Sequence, residues 1–213
     1  VKAHNDACQA AMDYYESKVE TRRGKGGKNV IGVHGLIYSG HTHFANRNLE
    51  AQLHTHHLVY GVAQGKDNEW RTFDAFEIYN HARTADEIYK AHLYSNMQGL
   101  GYKLERFNEL DDTQQETGKV ITRIAGIDAD VLENASSRRK EILAYQKEHG
   151  VSAQAACMAT RQNKDEPPLE EMFQLWNEWL DSQEGDFIRK TDDLKKVEQP
   201  ELLAAKTHDQ IIE

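Results

Sequence analysis

The pattern of hydrophobic and polar positions changes period several times along the chain. Residues 2–22 and 74–100 carry apolar side chains three and four residues apart, which predicts two long amphipathic helices. Between them, residues 30–38 and 54–62 are rich in β-branched and other apolar residues, which predicts two strands joined by a polar loop. A further strand is predicted over residues 118–126, and the pattern is helical after it. The chain is therefore predicted to mix helices and strands.

Histidines are concentrated in this strand region, and they are the first candidates for chemistry. Six of the chain's eleven histidines lie in and between the two predicted strands. His54 and His56 are two residues apart, so they project from one face of a strand, whereas His57 projects from the other. Two imidazoles placed in this way can bind one metal ion, and a third ligand would come from elsewhere, with His41 and His43 close to the neighbouring strand. Three histidines with open positions are typical of a catalytic site.

Composition limits the classes of protein that the chain can be. Its 213 residues are enough for one domain with a good core, and no run of about 18 apolar residues indicates a membrane span. The net charge is −9, and residues 1–60 carry seven Lys and Arg against five Asp and Glu, whereas the rest carries 19 against 30. This balance opposes nucleic-acid binding by the whole surface, because phosphate contacts dominate such affinity. It leaves room for a local basic patch, and residues 22–29 predict a mobile, basic, glycine-rich loop.

The segment from His43 to His56 carries a more specific pattern. It reads His43-Phe-Ala-Asn-Arg47 and then, after three residues, Ala-Gln-Leu-His54-Thr-His56. This resembles the metal motif of MobF-class conjugative relaxases, which belong to the His-hydrophobic-His (HUH) endonuclease superfamily. The chain departs from the family pattern in the loop, where Ala-Asn follows Phe44 in place of Thr-Ser and Ala replaces a proline. Weaker similarities extend over nearly the whole chain.

The resemblance implies a fold and a domain organisation. We expect an α+β fold in which an antiparallel, palm-like sheet is flanked by helices and followed by a C-terminal helical subdomain. The expected boundaries are 1–126 for a partial relaxase palm with the metal-binding strands, 127–190 for a finger-like helical subdomain, and 191–213 for a charged helix or linker.

The resemblance also implies a reaction, a cofactor and partners. A relaxase nicks one DNA strand at a plasmid transfer origin by metal-assisted transesterification with a tyrosine. His43, His54 and His56 would hold a divalent metal ion, namely magnesium, manganese or zinc. The expected partners are single-stranded DNA at the transfer origin and accessory relaxosome proteins, in the bacterial cytoplasm and with no membrane contact. We expect the tyrosine nucleophile and an aspartate to lie upstream of this chain, because Tyr14 and Tyr15 fall in the helix that follows those segments in the family.

Basic and polar positions that match the family are candidate DNA contacts. They lie in five short segments: the basic loop at residues 22–29, the histidine motif, the segment that follows Trp70, a Ser-Arg segment and a Thr-Arg segment. The candidates are Arg22, Arg23, Lys28, Arg47, Arg71, Ser136, Arg138, Arg161 and Lys164.

Two alternatives from other classes remain open. The first is a non-catalytic relic of a relaxase that holds single-stranded DNA and cuts nothing. The second is an unrelated three-histidine metal hydrolase, which would need a carboxylate ligand. Glu50 is the only carboxylate close to the histidines in sequence.

Overall fold

The structure, a computed structural model, describes residues 1–110, 115–127, 129–161, 167–183 and 191–196. Its helices are α1 (Lys2–Lys18), α2 (Phe76–Asn80), α3 (Ala82–Gly99), α4 (Ala129–Asn134), α5 (Ser137–His149), α6 (Ala153–Ala159), α7 (Leu169–Ser182) and α8 (Thr191–Leu194). Its strands are β1 (Glu20–Arg23), β2 (Asn29–Gly32), β3 (Tyr38–Ala45), β4 (Ala51–Val59), β5 (Val62–Gln64), β6 (Trp70–Thr72), β7 (Leu104–Leu110) and β8 (Glu116–Ile124). This mixture of helices and strands confirms the expected α+β class.

The strands of the described residues form two-stranded pairs, in the order β1–β2, β3–β4, β5–β6 and β7–β8. The pairs β1–β2 and β5–β6 are antiparallel, with Glu20 opposite Gly32 and Val62 opposite Thr72. Isolated bridges join residues of neighbouring pairs, and one of them links Val33 to Gly65. Short connections between sequential strands produce this hairpin pattern.

The first helix is shorter than its apolar pattern predicts, and the basic segment that follows it contains two strands where a loop was predicted. Helix α1 ends at Lys18 because Val19 has an extended backbone, with φ −75° and ψ 137°. The chain then enters β1, which pairs with β2. The basic residues therefore lie on a β-hairpin, whose turn uses left-handed backbone at Gly24 and its neighbouring glycines.

The predicted strand over residues 30–38 is interrupted. Strand β2 ends at Gly32, and β3 begins at Tyr38. Between them, Val33 and Leu36 are buried in a core cluster that also contains Val19. Apolar residues in this segment thus reflect core packing of an irregular connection, which a period-based reading cannot distinguish from a strand.

The predicted helix over residues 74–100 is divided at His81, which ends α2 and precedes α3. Helices α1 and α3 pack through Tyr14, Ala85 and Ile88, which form a second buried cluster. Helix α6 is capped by Ser152, whose hydroxyl accepts a hydrogen bond from the Ala155 N–H at 3.2 Å.

The chain divides into two compact units. Unit 1 contains Val1–His41 and Thr55–Arg123, and unit 2 contains Thr42–His54 and the described residues that follow Arg123. The buried clusters named above belong to unit 1, and unit 2 has its own buried side chains, among them Ala156 and Met172. In the described part of the chain, no helix combines the length and apolar character that crossing a membrane requires.

Candidate functional site

The β3–β4 hairpin carries the predicted metal ligands, and its turn is held by one side chain. The Asn46 side-chain oxygen accepts hydrogen bonds from the N–H groups of Asn48 at 2.9 Å and Glu50 at 3.0 Å. The backbone N–H of Asn46 donates to the Glu50 carbonyl at 3.0 Å, and Leu49 adopts a left-handed backbone with φ 60°. Asparagine forms this type of turn readily because its side chain substitutes for a backbone acceptor. His43 thus precedes a well-defined turn.

His43 and His54 meet in unit 2. Their rings are stacked, with centroids 5.4 Å apart and an angle of 24° between their planes. The Nδ1 atom of His54 lies 2.9 Å from the carbonyl oxygen of Gln52. Because a carbonyl oxygen can only accept, Nδ1 carries the proton, and in the neutral ring the lone pair is on Nε2. His54 therefore has the tautomer that a metal ligand bound through Nε2 requires.

Strand β4 separates its histidines by face, as the alternation predicts. Thr55 contacts His4 of α1, with 2.9 Å between Oγ1 and Nε2. The ring of His57 packs edge-on against Tyr38 with centroids 5.5 Å apart, and partial burial lowers the pKa of His57. His54 and His56 occupy the alternate positions, and His56 is exposed. His54 and His56, which the strand alternation predicted to project together, thus lie at alternate positions of one strand.

The ligand set has the right chemistry but is not assembled around one point. Within the described residues, no group of three His, Cys, Asp or Glu side chains lies close enough to hold a metal ion. Stacked imidazoles present parallel planes, so the rings of His43 and His54 must turn for their nitrogens to converge on one ion. The imidazole donors of His54 and of the exposed His56 nevertheless fit a borderline divalent metal ion.

Glu50, the carboxylate that a three-histidine hydrolase would need, is already engaged. Its carboxylate accepts hydrogen bonds from the backbone N–H groups of Ser137 at 2.6 Å and Arg138 at 3.3 Å, and from the side chain of Asn46. Partial burial by itself would raise the pKa of Glu50, but these hydrogen bonds outweigh it and lower the pKa. The carboxylate therefore stabilises the positive end of α5, where an anion is favoured.

The candidate arginines of unit 1 lie on β1 and β6 and pair with acids. Arg22 contacts Asp74 at 3.1 Å, and Arg23 contacts Asp67 at 3.4 Å. The guanidinium of Arg71 forms a two-pronged contact with Asp67, at 2.8 and 2.9 Å, which lowers the pKa of Asp67 to about 2. Lys28 is exposed in the turn of the β1–β2 hairpin. This arrangement reduces the positive charge that the arginines offer to a phosphate.

The candidate contacts of unit 2 have different surroundings. Arg138 is only 9% exposed, and its guanidinium donates to the carbonyls of Cys157 at 3.1 Å and Thr160 at 3.0 Å and pairs with Glu141. These contacts attach α5 to the end of α6 and engage the guanidinium within the protein. The phosphate contact at Arg138 stays a prediction.

The remaining candidates of unit 2 lie at element ends. Ser136 is the residue before α5, with no side-chain capping bond, and Arg47 lies in the turn of the β3–β4 hairpin. Arg161 is exposed beside Met158 at the end of α6, and Lys164 lies outside the described residues.

Two of the contacts that the sequence did not indicate involve the β3–β4 hairpin. The first joins the buried His4 to Thr55, and the burial of His4 could have been identified because His4, Ala7 and Tyr14 continue one helical stripe. The second is Trp176 of α7, whose indole N–H donates to the Leu49 carbonyl at 2.6 Å. No sequence signal indicates this second contact, because the two residues are far apart in the chain.

Comparison with known proteins agrees with this geometry. Residues 1–183 match a protein family described as TrwC relaxase. The multifunctional conjugation protein TraI of Escherichia coli (strain K12) is 28% identical over 115 residues, which are 49% of this chain and 6% of TraI.

The fold is similar to solved structures of the conjugative relaxase TrwC. One, in complex with a 27-mer DNA comprising the recognition hairpin and the cleavage site, aligns with a TM-score of 0.70 and 25% identity. The alignment covers 82% of this chain and 62% of that TrwC chain. A metal-bound structure of TrwC with oriT DNA aligns with a TM-score of 0.68 and 24% identity, over 82% of this chain and 60% of that one. The chain therefore spans a small part of TraI and about three fifths of the solved TrwC chains.

A family match over most of the chain, together with the TrwC fold and the His43 and His54–His56 pattern, leads to one conclusion: this chain belongs to the TrwC relaxase family.

Proposed function

We propose that this chain is part of a DNA relaxase that nicks one strand at a plasmid transfer origin to start conjugative transfer. The observation that carries the proposal is the pair of stacked imidazoles of His43 and His54 on neighbouring strands, with the tautomer of His54 set by Gln52. Relatives support it, because TrwC has been solved with oriT DNA and in a metal-bound form. The reaction would take place in the bacterial cytoplasm, together with accessory relaxosome proteins.

His43, His54 and His56 would hold a divalent metal ion, namely magnesium, manganese or zinc. An ion bound there would polarise the scissile phosphodiester and offset the negative charge that develops on its oxygens. The contribution of the chain is to orient the ligands. The Gln52 carbonyl does this for His54 by holding the proton on Nδ1, which directs Nε2 to the ion.

The nucleophile would be a tyrosine hydroxyl supplied from outside this chain. Its oxygen attacks phosphorus, the bond from phosphorus to the 3′ oxygen breaks, and the products are a 5′-phosphotyrosine and a free 3′-hydroxyl. Tyr14 is a poor candidate for this role because it is 5% exposed and its hydroxyl is hydrogen-bonded to His81 at 2.9 Å. Burial raises the pKa of the neighbouring Tyr15 hydroxyl, which makes its deprotonation harder.

Single-stranded DNA would lie along basic residues at the hairpin turns and helix ends. Lys28 and Arg47 occupy two different hairpin turns, and Arg161 is exposed at the end of α6. Ser136 and Lys164 remain predicted contacts. Arg22, Arg23 and Arg71 would contribute by exchanging an acidic partner for a phosphate.

A non-catalytic relic that only binds DNA is the second candidate. The observation on its side is that the described residues hold no assembled group of three metal ligands. The unrelated hydrolase is disfavoured, because the Glu50 carboxylate caps α5.

Calorimetric titration with manganese tests the metal centre directly. We expect one site per chain, lost in His54→Ala/His56→Ala and retained in His57→Gln, which changes a histidine on the opposite face of the same strand. A short single-stranded oligonucleotide should tighten manganese binding, because a phosphate would complete the coordination. Binding that survives the double substitution would contradict the proposed ligands, and intact metal binding with no DNA–tyrosine adduct in the parent protein would favour the relic.

A further inference from the structure

His4 lies on α1 inside unit 1 and is one of its few buried polar residues. Its side chain is 6% exposed, and both ring nitrogens have partners. Nδ1 lies 2.8 Å from the hydroxyl of Tyr89 on α3, and Nε2 lies 2.9 Å from the hydroxyl of Thr55 on β4. A neutral imidazole has one donor and one acceptor nitrogen, and hydroxyl groups can play either part, so both bonds form in either tautomer. His4 therefore links two helices and a strand.

The helical side of this link is fixed independently. The His4 and Tyr89 rings pack edge-on with centroids 5.6 Å apart. The side chain of Asn96 on α3 donates to the Ala3 carbonyl at 3.1 Å, next to His4 in α1. These contacts hold the first turn of α1 against α3, so the imidazole of His4 presents a fixed hydrogen-bonding group to β4.

The strand side of the link falls at a specific position. Thr55 is the residue between His54 and His56, and side chains alternate along a strand. When the Thr55 hydroxyl is held by His4, the backbone of β4 is fixed at the point from which both histidines project to the opposite face. A hydroxyl–imidazole bond in a buried site is directional, whereas a valine at this position would leave only non-directional apolar packing.

We propose that His4 is a positioning residue that acts through Thr55 to fix the backbone of β4 and, with it, the direction of His54 and His56. The effect on metal binding rests on the proposed metal centre. His4 would act from the strand face opposite to the metal, without contact to the metal or to DNA.

Four variants separate positioning from general stability. Thr55→Val removes the hydroxyl and keeps the side-chain shape, Thr55→Ser keeps the hydroxyl, and His4→Ala removes the imidazole. Tyr14→Phe is the matched control, because it removes another buried hydrogen bond of α1, to His81, that does not involve β4. Two quantities are measured for each: hydrogen exchange of the β4 amides without metal, and manganese affinity by calorimetry.

We expect faster exchange in β4 and about tenfold weaker manganese affinity in His4→Ala and Thr55→Val, in the range found for outer-shell partners of metal ligands. The manganese affinity of the double variant His4→Ala/Thr55→Val should be no weaker than that of either single variant, because both substitutions act on one hydrogen bond. Thr55→Ser should keep both quantities at their wild-type values, and Tyr14→Phe should leave both unchanged.

Wild-type exchange and affinity in Thr55→Val would overturn the inference while leaving the metal centre intact. So would equal losses of affinity in Tyr14→Phe, because they would show a general effect of stability. A wild-type chain that binds no manganese would contradict the proposed function instead. In that case the exchange data, which need no metal, would still decide whether His4 fixes β4.

Discussion

The Nδ1 atom of His54 and the carbonyl oxygen of Gln52 lie 2.9 Å apart within β4. A side chain is thus bonded to the backbone two residues earlier in the same strand. Because the acceptor belongs to the main chain, no substitution at position 52 other than one that distorts the strand removes it. The tautomer of His54 is therefore built into the local backbone rather than left to a distant side chain.

The tautomer of His54 can be tested by nitrogen NMR of the histidine side chains. At a pH where the imidazoles are neutral, we expect His54 to be protonated on Nδ1. His34 is the internal control, because its Nε2 lies 3.2 Å from the amide oxygen of Asn68 and should carry the proton. Adding zinc should shift the Nε2 signal of His54, and a chelator should restore it. Protonation of His54 on Nε2 would contradict the proposed binding mode.

The sequence predicted the strand positions of the hairpin histidines better than the contacts that hold the hairpin in place. The positions of His43, His54 and His56 follow from a short local pattern, and strand alternation placed Thr55 and His57 on the other face. The turn between the strands departs from the family pattern at Asn46, and the structure shows that this residue organises the turn through its side-chain oxygen. Strand alternation was sufficient to place His57 on the face opposite to His54 and His56, whereas the role of Asn46 in the turn was not predicted, and the metal-ligand role of the histidines stays a prediction.

Long-range partners could not be predicted in this way. Glu50 caps a helix that starts 87 positions later in the chain. Arg138 lies in a Ser-Arg segment that resembles the family, but it is buried and contacts α6 and the residue that follows it. Strand boundaries over residues 30–38 were misjudged because a buried irregular connection and a strand have the same apolar content. In each case tertiary packing decides which residues meet or where a strand ends, and this packing cannot be inferred from the local pattern of one sequence.

Glu50→Gln should destabilise the start of α5. The substitution keeps the size of the side chain and removes the charge that faces the helix N-terminus, so we expect a loss of about 1 kcal/mol in the free energy of unfolding. Because the folded state lowers the pKa of Glu50, this stabilisation is complete above its ordinary pKa of 4.5 and is lost as the pH falls through the lower folded value.

The measurement for Glu50 is thermal unfolding as a function of pH. The difference between wild type and Glu50→Gln should be largest near neutral pH and shrink in acid. Glu148→Gln is the control, because Glu148 is an exposed residue near the other end of the same helix. Equal effects of the two substitutions at every pH would show that only net charge matters.

Arg138→Ala should be strongly destabilising, and Arg139→Ala should not. Arg138 is buried and donates to two backbone carbonyls, which would lose their partner, whereas Arg139 is exposed in the same helical turn. Removing one member of a buried charged network costs on the order of 3–5 kcal/mol, and an exposed arginine contributes little. Denaturant unfolding of both variants measures the difference. Similar midpoints would contradict the structural role of Arg138.

Asp67→Asn should strengthen binding of single-stranded DNA. Asp67 has a pKa of about 2, so at neutral pH it is ionised and offsets the charges of Arg71 and Arg23. Its removal should raise affinity and steepen the dependence on salt by up to about 0.7 in the log–log slope for each additional phosphate that the arginines bind. Asp13→Asn changes net charge equally at an exposed site on α1 and should have a smaller effect. Fluorescence anisotropy across salt concentrations distinguishes the two, and identical slopes would place the DNA elsewhere.

Trp176→Phe tests the support of the hairpin turn within unit 2. The indole N–H of Trp176 donates to the Leu49 carbonyl at 2.6 Å, and Leu49 has a left-handed backbone that a leucine adopts at a cost of about 1 kcal/mol. Phenylalanine keeps the aromatic packing and loses the donor, so we expect a loss of about 1 kcal/mol in stability. Hydrogen exchange should accelerate at the turn amides of Asn48 and Glu50. Trp179→Phe changes a more exposed indole of the same helix and should leave the turn amides unaffected. Unchanged exchange in Trp176→Phe would mean that the side chain of Asn46 holds the turn by itself.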